Sequence, residues 1–214
     1  MKYYKYMKRE YLEGFFETGA LKIGTLYGFR DIELGNAIGD VDEAKHRYLM
    51  DYKGGTPIDM SSNSPEATFL REQGVFGNEA HELVGSFITI EDKVTVAQSC
   101  PDMYVFCMTN EYDPVAMVEF GYDSCFEVVD IDGFLRALTQ SLGGKGQFAG
   151  LAEVTYKNRE NSYTVPHDVH PAMMKGVEYG YQKEVRALWF TPETNIEGFI
   201  VLAPITTQYC RKIE

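Results

Sequence analysis

A polar pair with two-residue spacing stands at the start of an apolar run late in the chain. Gln182 and Glu184 lead into residues 185–190, which have the composition of a buried strand. Because side chains alternate along a strand, Gln182, Glu184 and Arg186 are expected on one face. A carboxylate at the rim of a cleft can bind a ribose hydroxyl or stabilise an oxocarbenium-like transition state. Arg186 has no chemical role in this arrangement, so we expect it to pair with the carboxylate.

A simpler interpretation of the same residues is also open. In it, the strand has one solvated face, and Glu184 and Arg186 are a neighbouring pair worth roughly a few tenths of a kcal/mol. The two interpretations differ in the position of Glu184. A pocket that contains Gln182 and a basic residue favours chemistry, and an open convex face favours a structural role.

Further polar groups that could complete a site stand near the N-terminus. Lys5 and Tyr6 lie in a short predicted strand, and Arg30 follows Tyr27. An arginine can hold a diphosphate through bidentate hydrogen bonds. The chain therefore contains all three kinds of group: a carboxylate, a second polar group for the acceptor and a basic group for phosphate.

The spacing of the candidate metal ligands does not support a metal site. None of the four cysteines forms a C-x-x-C pair, and the chain has only four histidines. His167 and His170 could ligate a metal from one loop, although a solvated loop is the simpler interpretation. We expect no metal and reduced thiols.

Composition and charge restrict the classes of function. The length of 214 residues lies within the range of one domain, so we expect a single domain over 1–214. The formal net charge of −12 argues against generic binding of DNA or RNA. Fifteen Tyr and thirteen Phe indicate an ordered core and suit a protein partner. Without a signal peptide or about 20 consecutive apolar residues, the chain is expected in the cytoplasm, away from membranes.

Apolar spacing predicts an α+β chain. A strand over 3–7, a helix over 10–19 that ends at Gly19 and a strand over 20–26 open it. Because helices and strands do not alternate regularly, we expect a mostly antiparallel sheet, continuous or split, with short flanking helices. Further strands are predicted over 83–90, 93–97, 103–109, 125–129, 151–156, 185–190 and 199–202.

The connections between these strands also carry predictions. A hairpin is expected between 83–90 and 93–97. A helix over 132–142 is expected to begin with Asp132 as its N-cap. Two polar stretches, 28–55 and 157–172, are expected to be loops, the first with a short helix.

Short motifs resemble a family of bacterial and phage proteins that is known only as a domain of unknown function. At its centre that family usually has Trp beside His or Tyr, whereas this chain has Ala-Met-Val-Glu-Phe over 116–120. The resemblance implies no activity. Its matching segments are 4–6, 15–21, 29–31, 106–109, 121–122, 126–128, 154–156 and 183–186.

A second resemblance does imply an activity. The strand–helix–Gly–Leu opening and the Q-x-E pattern of Gln182-Lys183-Glu184 are similar to the ADP-ribosyltransferase superfamily. The resemblance implies that fold, NAD as a substrate, Glu184 at the nicotinamide ribose and Gln182 beside the acceptor. It also assigns Arg30, Lys5 and Tyr6 to NAD binding. The chain departs from the pattern of that superfamily at two places. Its first strand has no His, and residues 86–89 are only weakly similar to the Ser-Thr-Ser strand.

Three hypotheses about function follow. The first is an NAD-dependent ADP-ribosyltransferase that acts on a protein or nucleic acid in bacterial or phage conflict. The second is a non-catalytic protein, of a phage or bacterium, that binds and inhibits a host or defence protein. The third is a structural domain in which Glu184 and Arg186 are a surface pair.

Overall fold

Strands that pair mostly antiparallel, accompanied by a few short helices, make up the fold, so the predicted α+β class is confirmed. The contacts divide the chain into two compact units. The expectation of one domain stays a prediction. The structure, a computed structural model, describes residues 2–30, 39–51, 55, 57–75 and 85–213.

The two units are defined by the segments that pack together. Unit 1 comprises Met1–Ala44, Cys100–Lys157 and Pro171–Glu214. Unit 2 comprises Lys45–Ser99 and Asn158–His170. The predicted site residues Lys5, Tyr6, Arg30, Gln182 and Glu184 all belong to unit 1.

An eight-stranded sheet dominates unit 1. Two further short strands, β10 (Thr155–Tyr156) and β12 (Met174–Lys175), pair with each other in parallel. The strands of the large sheet are β1 (Tyr3–Met7), β2 (Ala20–Thr25), β7 (Tyr104–Thr109), β8 (Ser124–Val128), β9 (Gln147–Glu153), β13 (Glu184–Phe190), β14 (Phe199–Leu202) and β15 (Cys210–Ile213).

The central strand β7 has two unlike edges. On one edge β13 pairs with it from Tyr104 to Thr109. On the other edge β2 stands opposite Tyr104 and Val105, and β1 stands opposite Thr109. The sheet is therefore split along the middle of β7, where the side chain of Lys5 donates a hydrogen bond from Nζ to the Cys107 carbonyl at 2.7 Å.

The described part of unit 1 contains three helices. They are α1 (Arg9–Thr18), α3 (Pro114–Glu119) and α4 (Ile131–Ser141). Short 3-10 turns cover Tyr27–Arg30, Pro171–Met173, Val177–Gln182 and Pro204–Tyr209.

The core of unit 1 follows from the helical spacing of α1. Leu12 and Phe15 are both buried, because positions three residues apart lie on one helix face. The ring of Phe15 stacks on Phe126 of β8, with ring centroids 4.7 Å apart. Phe134 of α4 and Trp189 of β13 are fully buried in the same cluster.

In unit 2, the described residues include three strands that form one sheet and two that form a short ladder. Its helix α2 (Pro65–Glu72) begins at the N-cap Ser64, whose hydroxyl accepts from the Ala67 N–H. A second apolar cluster that includes Met50, Phe69 and Leu70 lies within this unit. Its strands are β3 (Lys45–Asp51), β4 (Ile58–Asp59), β5 (Phe87–Ile88), β6 (Lys93–Ser99) and β11 (Glu160–Ser162).

Several expectations about unit 2 were wrong. β3 lies in the predicted 28–55 loop; only His46 and Met50 of this strand are buried, so it lacks a clear apolar alternation. β11 lies in the second predicted loop, 157–172. The predicted hairpin is replaced by other pairings, since β5 pairs with β4 and β6 pairs with β3. Residues 83–84 of the predicted strand lie outside the described residues.

Three details of unit 1 also differ from expectation. Asp130, rather than Asp132, caps α4, because its carboxylate accepts from the Gly133 N–H at 3.0 Å. The predicted 151–156 strand is two strands, β9 and β10, that are interrupted at Val154. The strands β1, β2, β7, β8 and β14 occur close to their predicted positions.

Gly19 provides a test of how α1 is connected to the sheet. It has φ +76°, and a Cβ there would lie 2.3 Å from the Pro204 nitrogen. We expect Gly19→Ala to lower the free energy of unfolding by about 2 kcal/mol or more. The energetic cost of a left-handed alanine adds to the cost of overlap between its Cβ and the backbone at Pro204. Urea denaturation measures this change.

Gly14 is the matched control, since it lies within α1 and a Cβ there meets nothing within 4 Å. Gly14→Ala should raise the unfolding free energy by about 0.5–1 kcal/mol through helix propensity. Equal effects of the two substitutions would contradict this account of the turn.

Candidate functional site

A pocket opens in unit 1 along the split edge of β7. Its empty volume, including space open to solvent, is about 600 Å³. Among the described residues, the charged groups of its lining are two ammonium groups and one carboxylate, those of Lys5, Lys175 and Glu184. The remaining lining residues are Tyr4, Tyr6, Phe29, Cys107, Met108, Thr109, Phe120, Tyr122 and Gln182.

Glu184, the predicted catalytic carboxylate, lies in this pocket at the first residue of β13. Its side chain is held by two cations: Arg186 Nε donates to Oε1 at 2.8 Å, and Lys175 Nζ donates to Oε2 at 2.7 Å. Glu184 is only 7% exposed and Arg186 is 0% exposed. The alternative in which β13 has one solvated face is therefore wrong.

Arg186 continues this arrangement away from the pocket. Its guanidinium binds Glu43 in a bidentate manner, with NH1 to Oε1 at 2.7 Å and NH2 to Oε2 at 2.8 Å. NH1 also donates to the Ala172 carbonyl at 2.6 Å. Lys175, Glu184, Arg186 and Glu43 thus form a buried row of alternating charge, which we call the charge row.

The protonation state of Glu184 follows from its neighbours. Burial alone raises the pKa of its carboxyl, but the adjacent Arg186 and Lys175 outweigh burial and hold that pKa well below its usual range. Arg186 is desolvated too, yet Glu184 and Glu43 raise its pKa well above the ordinary value. Near neutral pH Glu184 is therefore ionised, so it is suited to stabilising positive charge and poorly suited to accepting a proton.

Gln182 also lines the pocket, but it lies in a turn before β13 and not on the strand itself. It ends the 3-10 turn Val177–Gln182, and Lys183 then adopts a left-handed conformation with φ +46° before β13 begins. Its side-chain Oε1 accepts from Lys175 Nζ at 2.7 Å. A single ammonium therefore brings Gln182 and Glu184 together.

Lys5 lines the pocket from β1 and lies apart from the charge row. Its Nζ donates to the Cys107 carbonyl and lies 4.8 Å from the centroid of the Phe106 ring. Burial lowers the pKa of Lys5 despite the opposing influence of Cys107 and Glu184. Among the described residues, no carboxylate lies within 4.0 Å of this ammonium.

Tyr6 contributes its ring to the pocket rather than a free hydroxyl. Its OH donates to the Glu111 carbonyl at 2.9 Å and accepts from the Asp113 N–H at 2.7 Å. Burial raises the pKa of Tyr6 to about 12. Contact between Tyr6 and a ligand would therefore be made through the aromatic face.

Arg30 is not among the residues that line the pocket, although Phe29 is. Its Nε donates to the Glu43 carbonyl at 2.8 Å, and its guanidinium lies 3.5 Å above the Tyr27 ring. Arg30 thus supports the segment that carries Glu43. Its assignment to NAD binding stays a prediction.

Comparison with known proteins gives no relative to guide this site. No family model, no curated protein and no solved structure matches the chain. The resemblances to a domain of unknown function and to ADP-ribosyltransferases therefore remain sequence-based.

No group of three or more His, Cys, Asp and Glu side chains that the structure describes is placed to hold a metal. No helix in the described part of the chain is long and apolar enough to cross a membrane. His167, a candidate ligand from the sequence, stacks on His46 in unit 2 with ring centroids 3.8 Å apart.

Sequence reasoning missed Lys175 and Glu43. Lys175 lies seven residues before Gln182, on a two-residue strand that has no periodic signal. Glu43 lies 143 residues from Arg186 in a stretch that was expected to be a loop. One signal was available in the sequence. Arg186 lies in an apolar run, and if this arginine is buried, its charge requires a second carboxylate besides Glu184.

Removal of Arg186 tests the charge row. Arg186→Met leaves Glu43 without its bidentate partner and Glu184 with one cation, so we expect the unfolding free energy to fall by about 3–5 kcal/mol. Arg136→Met on the exposed face of α4 is the control and should change it by less than about 0.5 kcal/mol. A loss at Arg186 no larger than that of the control would contradict the model of a buried row.

The depressed pKa of Glu184 predicts how stability depends on pH. The unfolded carboxyl takes up a proton near its ordinary value of 4.5, whereas the folded carboxyl stays ionised at lower pH. The stabilisation is therefore complete above pH 4.5 and is lost as the pH falls below it. Urea unfolding between about pH 3 and about pH 6 should show a shallower slope for Glu184→Gln than for the wild type.

The exposed Glu153 of β9 offers the matched carboxyl-to-amide control. Glu153→Gln should retain the wild-type slope over the same range. If Glu184→Gln and Glu153→Gln give the same pH dependence, Glu184 is not held ionised by its neighbours.

Proposed function

We propose that this protein is an NAD-dependent ADP-ribosyltransferase whose reacting centre is the pocket on the split edge of β7. The observation that carries the proposal is that Gln182 Oε1 and Glu184 Oε2 meet on one ammonium in the lining of an aromatic pocket. We further propose, as the sequence resemblance implies, that the reaction serves bacterial or phage conflict.

The groups in the pocket fit the chemical parts of NAD. Aromatic faces such as those of Tyr6, Phe120 and Tyr122 offer stacking surfaces for a planar ring. The Lys5 ammonium has N–H groups beyond its bond to Cys107 and can donate them to a phosphate oxygen. Glu184 uses two of its roughly four lone-pair sites for Arg186 and Lys175, so it can also accept from a ribose hydroxyl.

The electrostatics of Glu184 suit the proposed reaction. Loss of nicotinamide develops positive charge at the ribose C1′, and a fixed carboxylate nearby stabilises that charge. Arg186 and Lys175 keep Glu184 ionised and in place, so no reorganisation is needed when the charge develops. Gln182 lies on the acceptor side and orients the incoming nucleophile.

Nucleophilic catalysis by the Cys107 thiol fits this pocket less well than charge stabilisation by Glu184. Cys107 lines it, but burial and the nearby Glu184 carboxylate raise the pKa of its thiol well above the ordinary value. A thiol that stays protonated is a weak nucleophile. The carboxylate is therefore the group on which the proposal depends.

Nicotinamide release from NAD tests the proposal. The wild-type protein, incubated with labelled NAD and bacterial lysate, should release nicotinamide and label an acceptor. Glu184→Gln should lower the rate by about a hundredfold or more, because the stabilising charge is removed. Glu153→Gln, an exposed carboxyl on the neighbouring strand β9, should keep the wild-type rate.

Binding of NAD distinguishes a slow enzyme from a wrong assignment. Calorimetry with NAD should give binding to both the wild type and Glu184→Gln, since the aromatic faces and Lys5 are intact in both. If the wild type neither binds NAD nor releases nicotinamide, the proposed function fails.

A second candidate function, binding and inhibition of another protein, is favoured by the edge of the sheet. In the described part of the chain, β14 pairs only with β2 and leaves its other edge open. Ile200 and Leu202 of this strand are 62% and 64% exposed, and they share one face because they are two residues apart. An open edge with exposed aliphatic side chains is a site for strand addition by a partner.

This candidate is tested by capture of a partner from bacterial lysate. Ile200→Lys combined with Leu202→Glu should abolish capture while Glu184→Ala retains it. Loss of capture only in Glu184→Ala would assign the interaction to the pocket instead.

A further inference from the structure

Lys175 contacts both polar residues of the proposed site, and its effect on the choice of acceptor is separate from its role in holding Glu184 ionised and in place. Its ammonium donates to Gln182 Oε1 and Glu184 Oε2, at 2.7 Å in each case. These are the two oxygens that would receive hydrogen bonds from an acceptor carrying a positive charge. The protein therefore already supplies a cation at the acceptor side of its own site.

Several contacts hold Lys175 in this position. It is 4% exposed and lies on β12, which pairs with β10 in parallel. Its carbonyl accepts from the Lys157 N–H at 3.0 Å, and its ammonium lies 5.3 Å from the centroid of the Tyr179 ring. Lys175 is thus an ordered group of the site rather than a mobile surface lysine.

The charge of the pocket adds to this effect. Of the lining residues that the structure describes, Lys5 and Lys175 carry ammonium groups and Glu184 carries a carboxylate. A second cation beside Gln182 and Glu184 would lie close to Lys175 in a poorly solvated place. Like charges at about 4 Å in such surroundings repel strongly enough to lower binding by tenfold or more.

We propose that Lys175 is a specificity-determining residue that excludes cationic acceptors, such as guanidinium groups, and restricts ADP-ribosyl transfer to neutral nucleophiles. This inference rests on the proposed function. It assigns the acceptor to a chemical class that includes water, hydroxyl groups and uncharged ring or amide nitrogens.

The step balances as a substitution at the ribose C1′. The bond from C1′ to the nicotinamide nitrogen breaks, and nicotinamide leaves with the electron pair. A lone pair of the neutral acceptor forms the new bond to C1′, and the proton of the acceptor passes to water. Glu184 stays ionised throughout, because Arg186 and Lys175 continue to donate to it.

The test uses two acceptors in one reaction. Agmatine supplies a guanidinium, and water supplies a neutral nucleophile that gives free ADP-ribose. For the wild type we expect ADP-ribose with no ADP-ribosylagmatine above background. Lys175→Met removes the charge with little change in length and should raise the ratio of ADP-ribosylagmatine to ADP-ribose by about tenfold or more.

Two control variants separate charge from shape. Lys175→Arg keeps the positive charge and should keep the wild-type ratio, and Lys212→Met on the exposed face of β15 should do the same. Thermal unfolding of each variant shows that it is folded, and the ratio corrects for differences in total activity.

The outcomes separate this inference from the proposed function. Nicotinamide release by the wild type with a wild-type ratio in Lys175→Met overturns the role of Lys175 and leaves the proposed function intact. Efficient formation of ADP-ribosylagmatine by the wild type also overturns it, whether or not any variant folds. A wild type that releases no nicotinamide removes the proposed function and this inference together.

Discussion

The pairing of Arg186 with two carboxylates is the constraint on which the site depends. A guanidinium that is 0% exposed is tolerated only if its hydrogen bonds and its charge are satisfied. Glu43 satisfies one side of it and Glu184 the other. The position of the Glu184 carboxylate is therefore set by the same contacts that make a buried arginine stable, so a change in these contacts alters both the pocket and the stability of the fold.

The strand β7 positions Glu184 and Lys5, because its two edges are paired differently. β13 pairs along the whole length of β7 and brings Glu184 opposite Thr109. On the other edge, β1 and β2 leave the middle of β7 uncovered, and Lys5 donates to the Cys107 carbonyl there. An interruption in backbone pairing thus provides the space for the pocket and a cation within it.

The parts of the fold that could be predicted from sequence are those with a strong local signal. Leu12 and Phe15 share a helix face, and Gly19 is required by a left-handed turn, so α1 and its end were predictable. β3 was not, because its charged residues mask the strand pattern and its stability comes from pairing with β6 and β11. Strand alternation predicted the contact between Glu184 and Arg186 on β13, whereas Gln182 lies in the 3-10 turn before this strand and meets Glu184 through Lys175. The contact between Glu43 and Arg186 spans 143 residues, a separation that no local pattern can reveal.

The split edge of β7 has a consequence for the order in which the protein is made. Lys5 is near the start of the chain, Cys107 near its middle and Glu184 close to its end. A ribosome releases these segments in that order, and β7 lacks its full-length neighbour until β13 has been synthesised. A nascent or prematurely terminated chain that ends before β13 therefore has no assembled pocket.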